Sequence, residues 1–335
     1  MMWNDVYGHE QIKDFLQNYL TREERPHALL FSGAEGLGKR RLALRFAKSL
    51  LCARHSEGDS CESCRLMNLE DGSFAHPDFL LVRREEDSKT HRLKDISIDQ
   101  MRDLNSKAGF APVLSQNKVC IIEDVDRMGE PAANSFLKLL EEPPAGWVFI
   151  LLATSCDKLL STILSRVVHL RFNAIPENVL QQALAEHEEI PAAKREVLAR
   201  LSEGSLGLAL QYNEENIFEY RTQAYSFLEA VPTDGIINYL QGRPWLEKYE
   251  RREALLFVQM LQLLLRDMLL CRLDVEQKLY NCDLAEELRE ISGRWQPKNL
   301  KKALGEVQQT YIALVTNAGI KLSLEALALK IDMMR

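Results

Sequence analysis

Five short apolar runs mark the first half of the chain: Ala28–Phe31, Phe79–Val82, Val119–Ile122, Val148–Ala153 and Val167–Phe172. Each has the length and apolar density of a buried strand. The segments between them carry helical spacing, as at Leu42, Phe46 and Leu50. Strands alternating with helices predict an α/β domain built on a parallel sheet with both faces covered. A helix is expected over Pro131–Glu142, with Pro131 as its first residue and Pro143-Pro144 as its stop.

After Phe172 the strand pattern ends. Pro176–Leu210 reads as a small helical unit closed by Gly204 and Gly207, and the chain from Asn213 onward is helical, with breaks near Pro232, Pro244 and Ser292–Pro297. The expected organisation is an α/β domain over 1–172, a small helical lid over 173–212 and an all-helical domain over 213–335. No internal repeat or low-complexity tract interrupts it. Ala254–Leu273 is the most apolar long stretch, but Gln259, Gln262, Arg266 and Asp267 break it. It therefore predicts a buried helix and no membrane span. Its apolar positions, Leu255, Leu256, Val258, Leu261, Leu264, Leu265 and Met268, cover more than one helix face, which fits either a deep core or a surface shared with partners.

Composition adds limits. A length of 335 residues favours two or three domains. The formal net charge of −7 argues against a protein that grips nucleic acid by bulk attraction. Seven cysteines, an odd number, with no signal-peptide pattern over Met1–Gln11, lead to an expected cytoplasmic location where thiols stay free or bind metal.

Candidate chemistry begins with Gly33-Ala34-Glu35-Gly36-Leu37-Gly38-Lys39, set between a predicted strand and the helix containing Leu42. That context suits a phosphate loop. Gly33, Gly36 and Gly38 let backbone N–H groups close round phosphate, the helix N-terminus adds positive potential, and Lys39 neutralises the outer phosphates. The alternative is a glycine-rich turn with no ligand. The next residue of such a loop supplies a hydroxyl to magnesium, but here it is Arg40, which offers no oxygen. The strand Val119–Ile122 is followed by Glu123-Asp124, the reverse of the usual Asp-then-Glu order. Misplacing a reacting group by about an ångström costs roughly a hundredfold in rate. The pair is either a degenerate acidic site or two solvated charges at a strand end. ATP or ADP held without efficient hydrolysis is the cofactor expectation.

Several segments then act together: Tyr7-Gly8-His9, His76-Pro77-Asp78, Asp126-Arg127-Met128, Ala132-Ala133-Asn134, Leu140-Glu141-Glu142-Pro143-Pro144, Ala153-Thr154-Ser155, Ser165-Arg166-Val167, and Asn317–Ala328 with Leu322, Leu324, Glu325 and Leu327. They resemble the clamp-loader branch of the AAA+ family, proteins of the bacterial DNA polymerase III holoenzyme. The resemblance implies an AAA+ parallel-sheet domain, a helical lid and a C-terminal helical collar for oligomerisation. It implies a sensor-1-like role for Thr154. Arg166 matches the arginine of the family's Ser-Arg-Cys motif, with Val167 in place of the cysteine, and would reach the γ-phosphate of ATP on a neighbouring subunit. Such fingers are worth about 10³ to 10⁵ in rate; an ordinary helix-end arginine is the bland alternative. Gly204-Ser205-Leu206-Gly207-Leu208 resembles the sensor-2 segment, with Leu208 where active ATPases carry arginine. Losses at Arg40, Glu123-Asp124 and Leu208, beside a retained finger, imply a largely non-hydrolysing stator. It would join gamma/tau and delta subunits in a hetero-pentamer that loads a sliding clamp on primer-template DNA. An active gamma/tau-type ATPase is the alternative.

Cys52, Cys61 and Cys64 are spaced C-x8-C-x2-C within a cysteine-rich insertion near 52–78. In the family this insertion is a structural zinc module whose fourth cysteine would fall at Met67. His55, Asp59, Asp71 or His76 could complete the tetrahedron; a metal-free remnant is the alternative. Cys120 and Cys156 are expected to pack in or beside core strands.

Overall fold

The computed structural model describes residues 3–52, 61–69, 72–88, 93–234, 249–275 and 278–334. It divides into two units, Met1–Ala183 with Gly204–Gly207, and Leu184–Glu203 with Leu208–Arg335.

The first unit is built on strands β1 (Ala28–Ser32), β4 (Phe79–Val82), β5 (Lys118–Ile122), β6 (Trp147–Ala153) and β7 (Val168–Arg171), in the order β4-β5-β6-β1-β7. Every neighbouring pair is parallel, with Leu30 opposite Leu151 and Cys120 opposite Phe149. A small antiparallel pair, β2 (Met67–Asn68) and β3 (Ser73–Phe74), lies in the cysteine-rich insertion. Alternate residues of the central strands serve opposite faces. Leu29, Phe31, Val119, Ile121, Val148 and Ile150 pack with α1 (Glu10–Thr21) and α2 (Lys39–Leu51). Leu30, Cys120, Ile122, Phe149 and Leu151 pack with α4 (Ile98–Ala108) and α5 (Glu130–Glu141). Both faces are covered, so β1, β5 and β6 are buried at every position and apolar at all but Ser32 and Lys118. Cys120 is a packing residue, fully buried.

Two expected buried strands differ. β7 alternates between half-buried Val168 and Leu170 and exposed His169 and Arg171, and in β4 only Phe79 is fully buried. Both lie at the edges of the sheet, where covering helices reach only part of each face. α5 starts at Glu130, so Pro131 is its second residue; the helix ends at Glu141, before Glu142 and the two prolines.

One carboxylate ties the insertion to the sheet. Asp78, fully buried, accepts hydrogen bonds from the backbone N–H of Val113 at 2.7 Å and of Leu114 and Ser115 at 2.8 Å. The Ser115 hydroxyl donates to the carbonyl of Leu51 at 2.7 Å and lies 3.3 Å from His76 Nε2. Residues 51 and 76–78, the two ends of the insertion, therefore meet at Ser115.

The second unit is helical. α10 (Ile217–Asp234), α12 (Ala285–Gly293) and α13 (Pro297–Val315) pack against α11 (Arg251–Arg272), and α14 (Ile320–Asp332) packs on α13; α8 (Ala192–Leu201) precedes them. α10 runs past Pro232, where a break was expected, because Ala224, Phe227 and Leu228 anchor it in the core. The break expected near Pro244 lies outside the described residues. α11 is long and apolar enough to cross a membrane by composition, yet Phe257, Val258, Leu261, Leu264, Leu265 and Met268 are buried against the neighbouring helices. It is a core helix. Its Asp267, fully buried, accepts from Arg266 and from the backbone N–H of Tyr280 and Asn281, pinning the connection before α12. Among the described residues of this unit, large apolar side chains are exposed at Leu273, just past α11, at Ile312, Val315, Leu322 and Leu329 on the last two helices, and at Met333 just beyond them.

Burial pushes the Asp78 carboxyl up, but the three backbone N–H groups and His76 outweigh it and hold it below the usual carboxylate range. Its stabilisation is present above the unfolded value and lost as pH falls through the lower folded one. Asp78→Asn is expected to cost about 1–3 kcal/mol at neutral pH, with a smaller difference from the parent below about pH 4, read by denaturant unfolding. Equal stability at neutral pH would show that the clasp contributes nothing.

Candidate functional site

β1 ends at Ser32 and α2 begins at Lys39, so Gly33–Gly38 must wrap from the sheet crest to the helix N-terminus. Gly33 has φ +145°, and a Cβ there would stand 2.4 Å from the carbonyl oxygen of Phe172; only glycine fits. The loop's carbonyls are taken in succession. Lys39 Nζ donates to Gly33 O at 2.5 Å and Ala34 O at 2.6 Å. The Ser205 hydroxyl donates to Glu35 O at 3.0 Å, and Gly207 N to Gly36 O at 2.9 Å. His9 Nε2 donates to Leu37 O at 2.9 Å, and Leu42 N to Gly38 O at 2.9 Å. With its acceptors occupied, the loop is fixed in one shape, and no side chain caps α2. Such a helix end favours an anion.

The 204–207 segment, expected as the close of a lid, belongs with the sheet unit. A Cβ on Gly207 would sit 2.7 Å from Gly36 Cα, so a second glycine is required by close approach. Leu208 falls within the helix Leu206–Glu214.

Electrostatically the pocket is crowded. Burial pushes the Lys39 pKa down, opposed by Glu35, Asp126 and Asp124. Arg40 Nε donates to Glu123 Oε1 at 2.5 Å, so the first carboxylate after β5 is paired with the arginine that follows Lys39. Asp124 takes a left-handed conformation, φ +52°, and starts the 3-10 turn Val125–Arg127. Asp126 accepts from the backbone N–H of Thr154 at 3.3 Å, joining the crests of β5 and β6. Thr154 is thus beside the acidic turn, with its backbone engaged. In the sequence Asp126 is one residue of a motif with no role of its own; its place between two strand ends depends on the parallel register of β5 and β6.

Arg166 stands apart from this group. It follows the short helix α6 (Ser161–Leu164), and its Nη1 donates to Thr162 O at 2.9 Å and the Ser165 hydroxyl at 3.1 Å. Its Nη2 pairs with Glu141 Oε1 at 2.9 Å, at the end of α5. The guanidinium is part-exposed and held by this chain's own acceptors.

The cysteines do converge. Cys52, Cys61 and Cys64 place their sulfurs within 4.8 Å of one another, with Cys52 and Cys61 at 3.7 Å. Zinc–sulfur bonds of about 2.3 Å in a tetrahedron put sulfurs about 3.8 Å apart, so the donor set fits zinc. The buried Cys64 thiol is pushed up to about 12 by burial and by its Cys61 and Cys52 neighbours. His76 does not join them. Its Nδ1 accepts from Asp78 N at 3.0 Å and its Nε2 faces Ser115, so both ring nitrogens serve the clasp. His55, Asp59 and Asp71 lie outside the described residues. Cys156 is only half-buried, 3.5 Å from His169 Nε2.

Comparison with known proteins gives this arrangement a context. The family described as DNA polymerase III, delta subunit, matches residues 8–176, and that described as DNA polymerase III, delta subunit, C terminal, matches residues 244–332. DNA polymerase III subunit delta′ of Bacillus subtilis (strain 168) is 28% identical over 325 residues, 96% of this chain and 95% of that protein. DNA polymerase III subunit tau of the same organism is 32% identical over 221 residues, 64% of this chain but only 38% of that protein. A DNA polymerase III gamma-subunit-related protein from Thermotoga maritima shares the fold, with a TM-score of 0.51 at 18% identity over 97% of this chain and 98% of that one. Family match, similarity along nearly the whole chain and a shared fold agree: the chain belongs to the DNA polymerase III delta-subunit family of clamp-loader proteins.

Proposed function

We propose that this chain acts as a delta′-type clamp-loader subunit: a largely non-hydrolysing stator that supplies Arg166 in trans to ATP on a neighbouring subunit. The Arg40–Glu123 pair carries the reading. Magnesium-dependent cleavage needs an oxygen-lined metal position beside the phosphates, and here a guanidinium fills that position and neutralises the carboxylate. The loss of the sensor-2 arginine at Leu208 agrees. End-to-end similarity to a delta′ protein, against partial similarity to tau, favours this over an active gamma/tau-type ATPase.

Partners in this reading are gamma/tau and delta subunits in a hetero-pentamer, with the sliding clamp and primer-template DNA engaged through the assembly. DNA polymerase activity belongs to that complex. The exposed apolar residues of α13 and α14 supply the collar surface for assembly. Cys52, Cys61 and Cys64 hold a structural zinc, with a fourth donor from the 53–60 or 70–71 segments.

Arg166→Ala is expected to lower DNA-stimulated ATP turnover of the reconstituted loader by about tenfold or more, while the subunits still co-elute. Unchanged turnover removes the finger. The isolated chain is expected to show no ATPase above background; vigorous hydrolysis overturns the stator reading. Leu322→Glu, at a position 73% exposed, is expected to weaken assembly about tenfold by gel filtration without lowering the chain's own melting temperature. Metal analysis of the purified chain is expected to give about one zinc per chain, lost in Cys64→Ser; a zinc-free chain would exclude the site.

A further inference from the structure

The geometry points to Arg40 as a resident cation that lets this pocket bind a nucleoside diphosphate without magnesium. This rests on the reading of Gly33–Lys39 as a phosphate loop and extends it to the metal. In a magnesium-dependent loop, a hydroxyl and an acidic residue hold an octahedral ion against the phosphates. Here the hydroxyl is absent, and the acidic residue, Glu123, is held at 2.5 Å by Arg40 Nε. A divalent ion at that place would meet a fixed positive charge and a carboxylate already engaged. Magnesium does not fit.

The same arrangement suits phosphate directly. Among the described residues, nothing hydrogen-bonds Arg40 Nη1 or Nη2, and the side chain is 53% exposed while Glu123 is 18% exposed. The carboxylate thus anchors the guanidinium by one edge and leaves its other donors to reach phosphate oxygens in a planar, charge-assisted contact. Lys39 joins it by exchanging the two loop carbonyls it now holds for phosphate oxygens. The α2 N-terminus, uncapped by any side chain, completes the cradle.

Charge selects the ligand. Arg40 brings one positive charge where magnesium brings two, and Glu35, Asp124 and Asp126 surround Lys39. A diphosphate, with less negative charge to offset than a triphosphate, fits this balance better. The pocket is therefore a holding site, insensitive to the metal on which its catalytic counterparts depend.

Calorimetry of the full chain with ADP, in EDTA and then in excess magnesium, tests this. The dissociation constant is expected to agree within about twofold between the two conditions, with ADP tighter than ATP in EDTA. Arg40→Ala, whose fold is checked by its melting curve, is expected to weaken metal-free ADP binding by about tenfold. Magnesium-dependent binding by the parent chain, absent ADP binding, tighter ATP than ADP in EDTA, or unchanged binding by Arg40→Ala overturns the inference. None of these bears on Arg166, whose reading stands or falls on turnover by the assembled loader.

Discussion

Parallel pairing of β1, β5 and β6 is the constraint on which the site depends. With all strands pointing one way, their C-terminal ends form a single crest, and whatever follows each strand is delivered there. Gly33 follows β1, Glu123 follows β5 and Thr154 follows β6. Residues about 30 to 120 apart in sequence are thereby gathered along one edge. The register, with Ile122 opposite Leu151 and Leu151 opposite Leu30, fixes their relative height. Because both faces of these strands are buried, a slip of one residue would move the crest and exchange the two cores at once.

On that crest the charge that meets Glu123 is a covalent one, the guanidinium of Arg40. A metal ion equilibrates with solvent and brings water ready for attack; an arginine does neither. The Arg40–Glu123 pair is part-exposed, so it adds little to stability. Its consequence is chemical. It engages the first carboxylate after β5, as the proposed loss of hydrolysis requires, while Arg166, anchored to Glu141, Thr162 and Ser165, takes no part in it.

Much of this was legible in the sequence, for physical reasons that differ by residue. The central strands announced themselves because burial on both faces demands unbroken apolar runs. β7 misled because Val168 and Leu170 are apolar whether or not a helix covers them, and edge position is a property of topology. The α11 helix showed its wide apolar arc, but periodicity could not say whether core or partner covers it; three flanking helices do. The exposed stripe on α13 and α14 was invisible because Leu322 and Leu329 look like their buried neighbours Leu324 and Leu327. Arg40 stood out from the spacing of the glycine loop and Leu208 only through the family resemblance, whereas the pairing of Arg40 with Glu123, 83 residues away, emerged only in three dimensions. His76 was a reasonable metal donor by composition, but the backbone N–H of Asp78 and the Ser115 hydroxyl engage its two ring nitrogens instead.

The meeting of both ends of the cysteine-rich insertion at Ser115 has its own consequence. A segment that departs and returns at a single point is, to the rest of the fold, a closed detour: its length costs only loop entropy, which grows slowly with size. The detour is not wholly separate from the sheet: Met67 is fully buried in the core that covers one sheet face, with Leu69 and Phe74 packed against it. Met67, where the family resemblance would put a fourth cysteine, is therefore a packing residue of that core, and the return stretch of the insertion carries part of the sheet's own cover.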